Sequence, residues 1–183
     1  MYEPTTSCGE VGLILHNIFF EVFGYKKYGI FIEVGANDGK TGSFTYNLGK
    51  LGWKGINCEP IPRLHALCCE NTKNFENIVN LQTAVGEKKF KLDIIDAGTL
   101  STMDIKTLNL YLKTDWAKGH FQKPVKHKVN VEKLDTIIEK HLSEDEFNLV
   151  DLFVLDVEGF EESVLKGFNI GKYAPKMIII EIS

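Results

Sequence analysis

Basic charge is outweighed by acidic charge: 21 Lys and Arg face 25 Asp and Glu, a formal net charge of −4. Proteins that follow a nucleic-acid backbone usually carry a basic stripe, so nucleic acid is not expected as the main partner. Cysteine is sparse as well. Cys8, Cys58, Cys68 and Cys69 form no Cys-x-x-Cys pair, and no histidine stands at zinc-finger spacing. The thiols are therefore expected to be free, as in a reducing compartment, with no metal assigned. Long apolar runs are missing too. The stretch Val11–Phe23 is broken by His16, Asn17 and Glu21 and falls short of the ~20 apolar residues of a bilayer span. The opening Met1-Tyr-Glu-Pro-Thr-Thr lacks the basic start of a signal peptide. No membrane partner is expected, and the expected location is cytoplasmic. There is no repeat and no Pro/Gly/Ser-rich linker among the 183 residues. One domain is therefore expected, with a helical segment over 1–28 and a core over 29–183.

What the sequence does contain is an alternation of strands and helices. Val11, Ile14, Leu15, Ile18, Phe19 and Val22 recur at helical spacing and predict a packing helix. A strand is predicted over 29–34, running into the turn cluster Gly35-Ala-Asn-Asp-Gly39. A helix follows over 41–51, a strand over 54–59 closed by Pro60 and Pro62, a helix over 63–71 and a strand over 78–85. Residues 87–96 and 126–132 alternate as hairpin strands do. A helix over 134–141 precedes a buried strand over 149–157, interrupted by Asp151 and ended by Asp156. A helix over 161–167 stops at Gly167, and a last strand covers 176–182. This order predicts an α/β fold with a mostly parallel sheet flanked by helices. The continuous apolar runs fit strands covered on both faces. Such sheets bind ligands at the carboxyl ends of their strands, near the switch in strand order.

The first strand ends at Glu33-Val-Gly35-Ala-Asn-Asp-Gly39, where Gly35 permits a tight turn and close approach of a ligand. Glu59 follows at roughly the 20-residue spacing at which dinucleotide folds place a ribose-binding carboxylate. A nicotinamide site takes Gly-x-Gly-x-x-Gly and a pyrophosphate, but here the second and third positions are Asn37 and Lys40. Glu33 and Asp38 would repel that anion and suit the ammonium and sulfonium of S-adenosylmethionine. Gln82-Thr-Ala84-Val85 offers small side chains, either for a flat adenine or for ordinary packing. Asp156 and Glu158 close the apolar strand over 149–157. Paired carboxylates take a hydroxyl proton or hold a divalent metal, and no metal is assigned here. Glu161 and Glu162 fit better as first-turn acids of a helix. Thr99-Leu100-Ser101-Thr102 lines a pocket or forms turn bonds. His120 and His127 are candidate bases. The lysines around them (Lys118, Lys123, Lys126, Lys128) form a solvated face or grip an anionic substrate. Trp53 and Trp116 are expected to pack.

Taken together, these motifs resemble the FkbM family of methyltransferases. The matching pieces are Phe31-Ile-Glu-Val-Gly-Ala-Asn-Asp-Gly-Lys40, Leu51-Gly-Trp-Lys-Gly-Ile56 with Glu59-Pro60, Leu100-Ser-Thr-Met103, and Leu155-Asp-Val-Glu-Gly-Phe-Glu161 leading to Val164-Leu-Lys-Gly167. The resemblance implies a Rossmann-like class I methyltransferase sheet, S-adenosylmethionine as donor, and O-methylation of a small-molecule or sugar hydroxyl. It implies that Glu33, Gly35, Ala36, Asn37, Asp38 and Gly39 hold the methionine end of the cofactor. Glu59 and Pro60 would hold the ribose side, Ala84 and Ser101 would complete the pocket, and Asp156 and Glu158 would be catalytic. The acceptor proton would pass to Asp156, a nearby histidine or water. Sheets of this class usually add strands after the one corresponding to 176–182, and this chain stops at Ser183. An open edge there invites pairing, so a second copy, domain or loop is expected to cover it. The alternatives are a non-catalytic binding module of the same shape and, further off, a nicotinamide oxidoreductase.

Overall fold

The computed structural model describes residues 6, 9–122 and 124–182. Residues 1–5, Ser7, Cys8, Lys123, Ser183 and the Val11 side chain lie outside the described residues. Eight strands are described: β1 Ile30–Val34, β2 Lys54–Cys58, β3 Ile78–Leu81, β4 Ala84–Gly86, β5 Phe90–Asp96, β6 Val125–Lys133, β7 Leu152–Leu155 and β8 Met177–Ile180. The helices are α1 Gly9–Phe23, α2 Tyr46–Lys50, α3 Pro62–Thr72, α4 Ile105–Lys113, α5 Leu134–His141, α6 Glu161–Lys166 and α7 Ile170–Tyr173. No described helix is long and apolar enough to cross a membrane.

The main sheet has the order β3-β2-β1-β7-β8, and every pairing in it is parallel. This is the α/β arrangement expected of a Rossmann-like methyltransferase. Ile30, Ile32 and Val34 face one way, into a core shared with Leu134, Ile138, Phe153, Val164 and Tyr173. Phe31 faces the other way, with Phe19, Leu48, Trp53 and Leu152. The period-2 side-chain alternation thus buries β1 on both faces. β8 forms one edge of this sheet.

Four expectations need correction. The segment 78–85 is two strands in two sheets, because the chain turns at Gln82-Thr83, where the Thr83 amide bonds back to the Leu81 carbonyl at 3.0 Å. β4 then joins a small sheet of order β4-β6-β5. β5 and β6 do pair antiparallel, yet they form no tight hairpin, because α4 and two single turns, Gly98–Leu100 and Lys118–Phe121, intervene. The helix over 41–51 shrinks to α2. The Asp38 carboxylate captures the Lys40 and Thr41 amides at 2.9 and 2.7 Å, and Gly42 lies at φ +68°. Finally, α1 buries a stripe offset by one residue: Leu15, Phe19 and Phe23 pack inward, while Ile14, Ile18 and Val22 are exposed. The aromatic contact of Phe23 with Trp53, 5.6 Å between centroids, decides the rotation.

Asp151, which interrupts an apolar run in the sequence, is completely buried and joins three segments. Its carboxylate accepts from Lys26 at 2.6 Å, Lys176 at 2.7 Å and the Ile30 amide at 3.0 Å. Burial pushes this carboxyl up, but the three donors together outweigh it and leave it below the ordinary value of 3.8. Trp53 is fully buried, and Trp116, though 67% exposed, packs its ring against Tyr111 with centroids 6.2 Å apart. Cys58, Cys68 and Cys69 are free thiols.

Candidate functional site

The chain runs outward from β1 through β2 to β3, then returns on the other side of β1 as β7. The switch in direction therefore falls between β1 and β7, where parallel sheets leave a crevice at the carboxyl ends. The ladder continues one residue past each strand. Gly35 donates to the Cys58 carbonyl at 3.0 Å, Glu59 to Leu81 at 3.0 Å, Asp156 to Val34 at 3.0 Å and Glu181 to Leu155 at 3.0 Å. These bonds align Glu59, Asp156 and Glu181 along one edge. A cavity of about 410 Å³ opens there, within the usual ~300–1,000 Å³ of small-molecule sites.

Ten of the sequence-predicted residues line this cavity. Glu33, Gly35, Ala36, Asn37, Glu59 and Pro60 come from the ends of β1 and β2. Ala84 comes from β4, Ser101 from the turn after β5, and Asp156 and Glu158 from the end of β7. Asp38 and Gly39 are not part of the lining. The Asp38 carboxylate is occupied by the Lys40 and Thr41 amides and by the Thr41 hydroxyl at 2.6 Å. A Cβ on Gly39 would meet Cys68 Sγ at 2.5 Å, so this glycine allows α3 to pack closely. His120 and His127 lie elsewhere, with His127 3.5 Å from Asp96.

Gly35 has φ +90°, and a Cβ there would lie 1.6 Å from the Asp156 carbonyl oxygen. Only glycine lets the ends of β1 and β7 approach this closely. Asn37 is also left-handed, at φ +52°, a region asparagine tolerates better than most residues. Its amide donates to Glu59 Oε2 at 2.9 Å, and the Ile61 amide donates to Oε1 at 2.8 Å. Each carboxylate oxygen of Glu59 thus keeps a lone pair for a further donor. Glu33 is buried, and its Oε2 accepts from Thr45 Oγ1 at 2.6 Å. Burial pushes both Glu33 and Glu59 up to about 7, against partial opposition from these donors. Ser101 spends its hydroxyl within its own turn, donating to the Gly98 carbonyl at 2.6 Å.

Across the cavity, oxygens of Asp156, Glu158 and Glu181 all lie within 4.8 Å of one another. Burial, then Glu181 and Glu158, push Asp156 up to about 8. Burial likewise raises Glu158, with Glu181 and Glu161 adding to the shift and Tyr111 opposing it. Glu161 instead accepts from the Gly159 amide at 3.1 Å, the role of a first-turn acid. Sequence reasoning missed Glu181 and Tyr111. Glu181 carries the same signal that singles out Asp156, an acid closing an apolar strand. Tyr111 carries none, because its partner is set by tertiary packing.

With Glu33, Glu59, Asp156, Glu158 and Glu181, the lining holds five carboxylates, and among the described residues no Lys, Arg or His joins it. Such a surface attracts positive charge and opposes a pyrophosphate. The family model of the methyltransferase FkbM domain matches residues 33–183. No curated protein and no solved structure matches the chain.

Proposed function

The chain belongs to the FkbM methyltransferase family, and on that premise we propose that it transfers the methyl group of S-adenosylmethionine to an oxygen of a small molecule or sugar. The observation that carries this reading is the five-carboxylate cavity at the switch point between β1 and β7. Its size suits a nucleoside-sized ligand, and its charge suits an ammonium and a sulfonium over a dinucleotide. Glu59 has lone pairs to accept both ribose hydroxyls. Gly35, Ala36 and Asn37 bring backbone to the ligand, and the buried Glu33 lines the same cavity. When bound, the cofactor supplies an electrophilic methyl group: the acceptor oxygen's electron pair forms the new O–C bond, and the S–C pair stays on sulfur. Asp156 and Glu158 line this cavity side by side, and the hydroxyl proton passes to a carboxylate of this pair. The β-strand scaffold holds these groups in fixed relative positions, which lowers the entropic barrier of bringing two reactants together.

The test is a calorimetric titration of the full chain with S-adenosylhomocysteine, with Glu59→Ala as control and reduced nicotinamide cofactor as competitor. One-site binding is expected, weakened at least tenfold by Glu59→Ala and unaffected by the competitor. Displacement by the nicotinamide cofactor, or absence of binding by folded protein, would overturn the donor assignment.

A further inference from the structure

The segment between β5 and β6 does more than close the cavity with Gly98, Thr99, Leu100, Ser101 and Met103. It also grips the bend that follows β7. Thr102 Oγ1 donates to the Glu158 carbonyl at 2.6 Å. Gly159 approaches α4 so closely that a Cβ would meet Thr107 Oγ1 at 2.1 Å. Glu158 itself is held at φ +52°, a conformation costly for a non-glycine residue and one that persists only where its surroundings impose it. Tyr111 makes the third contact. Its ring is buried in an apolar cluster with Ala97, Leu100, Ala117 and Phe121, and its hydroxyl donates to the Glu158 carboxylate. The Tyr111 and Phe121 ring centroids lie 6.0 Å apart, and α4 is capped by Asp104 accepting from the Thr107 amide at 2.7 Å. The hydroxyl is therefore placed by a packed scaffold.

Asp156, Glu158 and Glu181 bring oxygens within 4.8 Å of one another, and this crowding of like charge favours the protonated forms of Asp156 and Glu158. Each is faced by the others, and Glu161 adds a further acid from α6. A phenol donor favours the ionised form of the carboxylate it serves. Tyr111 serves Glu158, while the side-chain contact of Asp156 is with another acid, Glu181. We propose that Tyr111 is a positioning residue that makes Glu158 the proton acceptor of the site and leaves Asp156 holding the shared proton. This assignment rests on the cavity being the methyl-transfer site. In the transfer step the acceptor hydroxyl's proton passes to Glu158 as the O–C bond forms. Asp156 keeps its own proton and can donate a hydrogen bond to the acceptor.

The test is a pH titration of the full-length protein carrying ¹³C-labelled side-chain carboxyls, in wild type and Tyr111→Phe. Signals are assigned by their loss in Glu158→Gln and Asp156→Asn. The Glu158 midpoint is expected to rise by about one pH unit in Tyr111→Phe, a tenfold change in proton affinity, and the Asp156 midpoint to fall. A purely structural tyrosine would lower the melting temperature and leave both midpoints in place, and that outcome overturns the assignment. Should Tyr111→Phe not fold, the wild-type Tyr111 hydroxyl proton is observed directly by NMR. A slowly exchanging signal that disappears in Glu158→Gln supports the assignment, and its absence from wild type overturns it. Titration with S-adenosylhomocysteine runs in parallel. Failure to bind removes the methyl-donor reading, whereas an unmoved Glu158 midpoint in protein that binds removes only the role of Tyr111.

Discussion

Replacing Asp151 should separate the two parts of its role. In Asp151→Ala the Ile30 amide loses its 3.0 Å acceptor, and stranding a buried donor costs about 1–3 kcal/mol. The ion pairs with Lys26 and Lys176 are also lost. Their lysines are 33% and 55% exposed, so each pair is worth only about 0.2–1 kcal/mol. The total is about 3 kcal/mol. For a chain of this size 1 kcal/mol moves the melting temperature by about 2–4 °C, so a fall of about 6–12 °C is expected by circular dichroism at pH 7. Asp151→Asn keeps a carbonyl oxygen for the Ile30 amide and forfeits only the charge, so its fall should be about 2–4 °C. The pH dependence follows from the depressed carboxyl. A group ionised more readily in the folded state stabilises it above the unfolded value and loses that contribution as pH falls through the folded one. The gap between wild type and Asp151→Asn should therefore close below about pH 4. Equal losses for the alanine and asparagine variants, or an alanine variant within about 0.5 kcal/mol of wild type, would refute the reasoning.

Gly35→Ala, with its Cβ directed at the Asp156 carbonyl from φ +90°, should weaken S-adenosylhomocysteine binding at least tenfold and cost more than the ~1–2 kcal/mol of a left-handed alanine; wild-type affinity by calorimetry would refute it. Glu33 is pushed up to about 7 by burial, so the folded state holds its proton more tightly than the unfolded chain and loses stability as pH rises from the ordinary glutamate range toward 7. Glu33→Gln should flatten the decline in melting temperature between pH 5 and 8, and parallel slopes in the two proteins would show that Glu33 does not titrate there.

The carboxyl ends of the strands were the most legible part of the sequence, because there an apolar run meets an acid and a turn. Glu33 and Asp156 carry that signal, Glu59 adds to it a spacing of about 20 residues from the glycine turn, and Glu181 meets the same description at the end of β8. Local side-chain chemistry hid other boundaries. Asp38 looks like a ligand-binding acid by composition, yet its nearest donors are its own neighbours Lys40 and Thr41, which it holds in a turn that delays α2. The break after β3 is a two-residue turn closed by the Thr83 amide on Leu81, with the Thr83 hydroxyl reaching Asn130 of β6, too short a feature to read between two β-rich runs. In α1 the pattern fits two adjacent stripes almost equally, and the contact with Trp53 chooses between them. Tyr111 lay beyond reach because its meaning depends on Glu158, brought to it through the long-range packing of α4 against the bend after β7.

The pairing of β1 with β7, which sets Phe31 beside Leu152, also fixes when a working site can exist. Contacts between segments so distant along the chain close large loops, and their entropic cost is met before they return any stabilisation. A ribosome releases β1, β2 and β3 long before β7 emerges. The growing chain can therefore assemble the Gly35 turn against Glu59 early, but Asp156 and Glu158 complete the cavity only once β7 has emerged. Until then the β7 side of β1 is an unpaired strand edge in an apolar intermediate, the kind of surface through which nascent chains pair with the wrong partner.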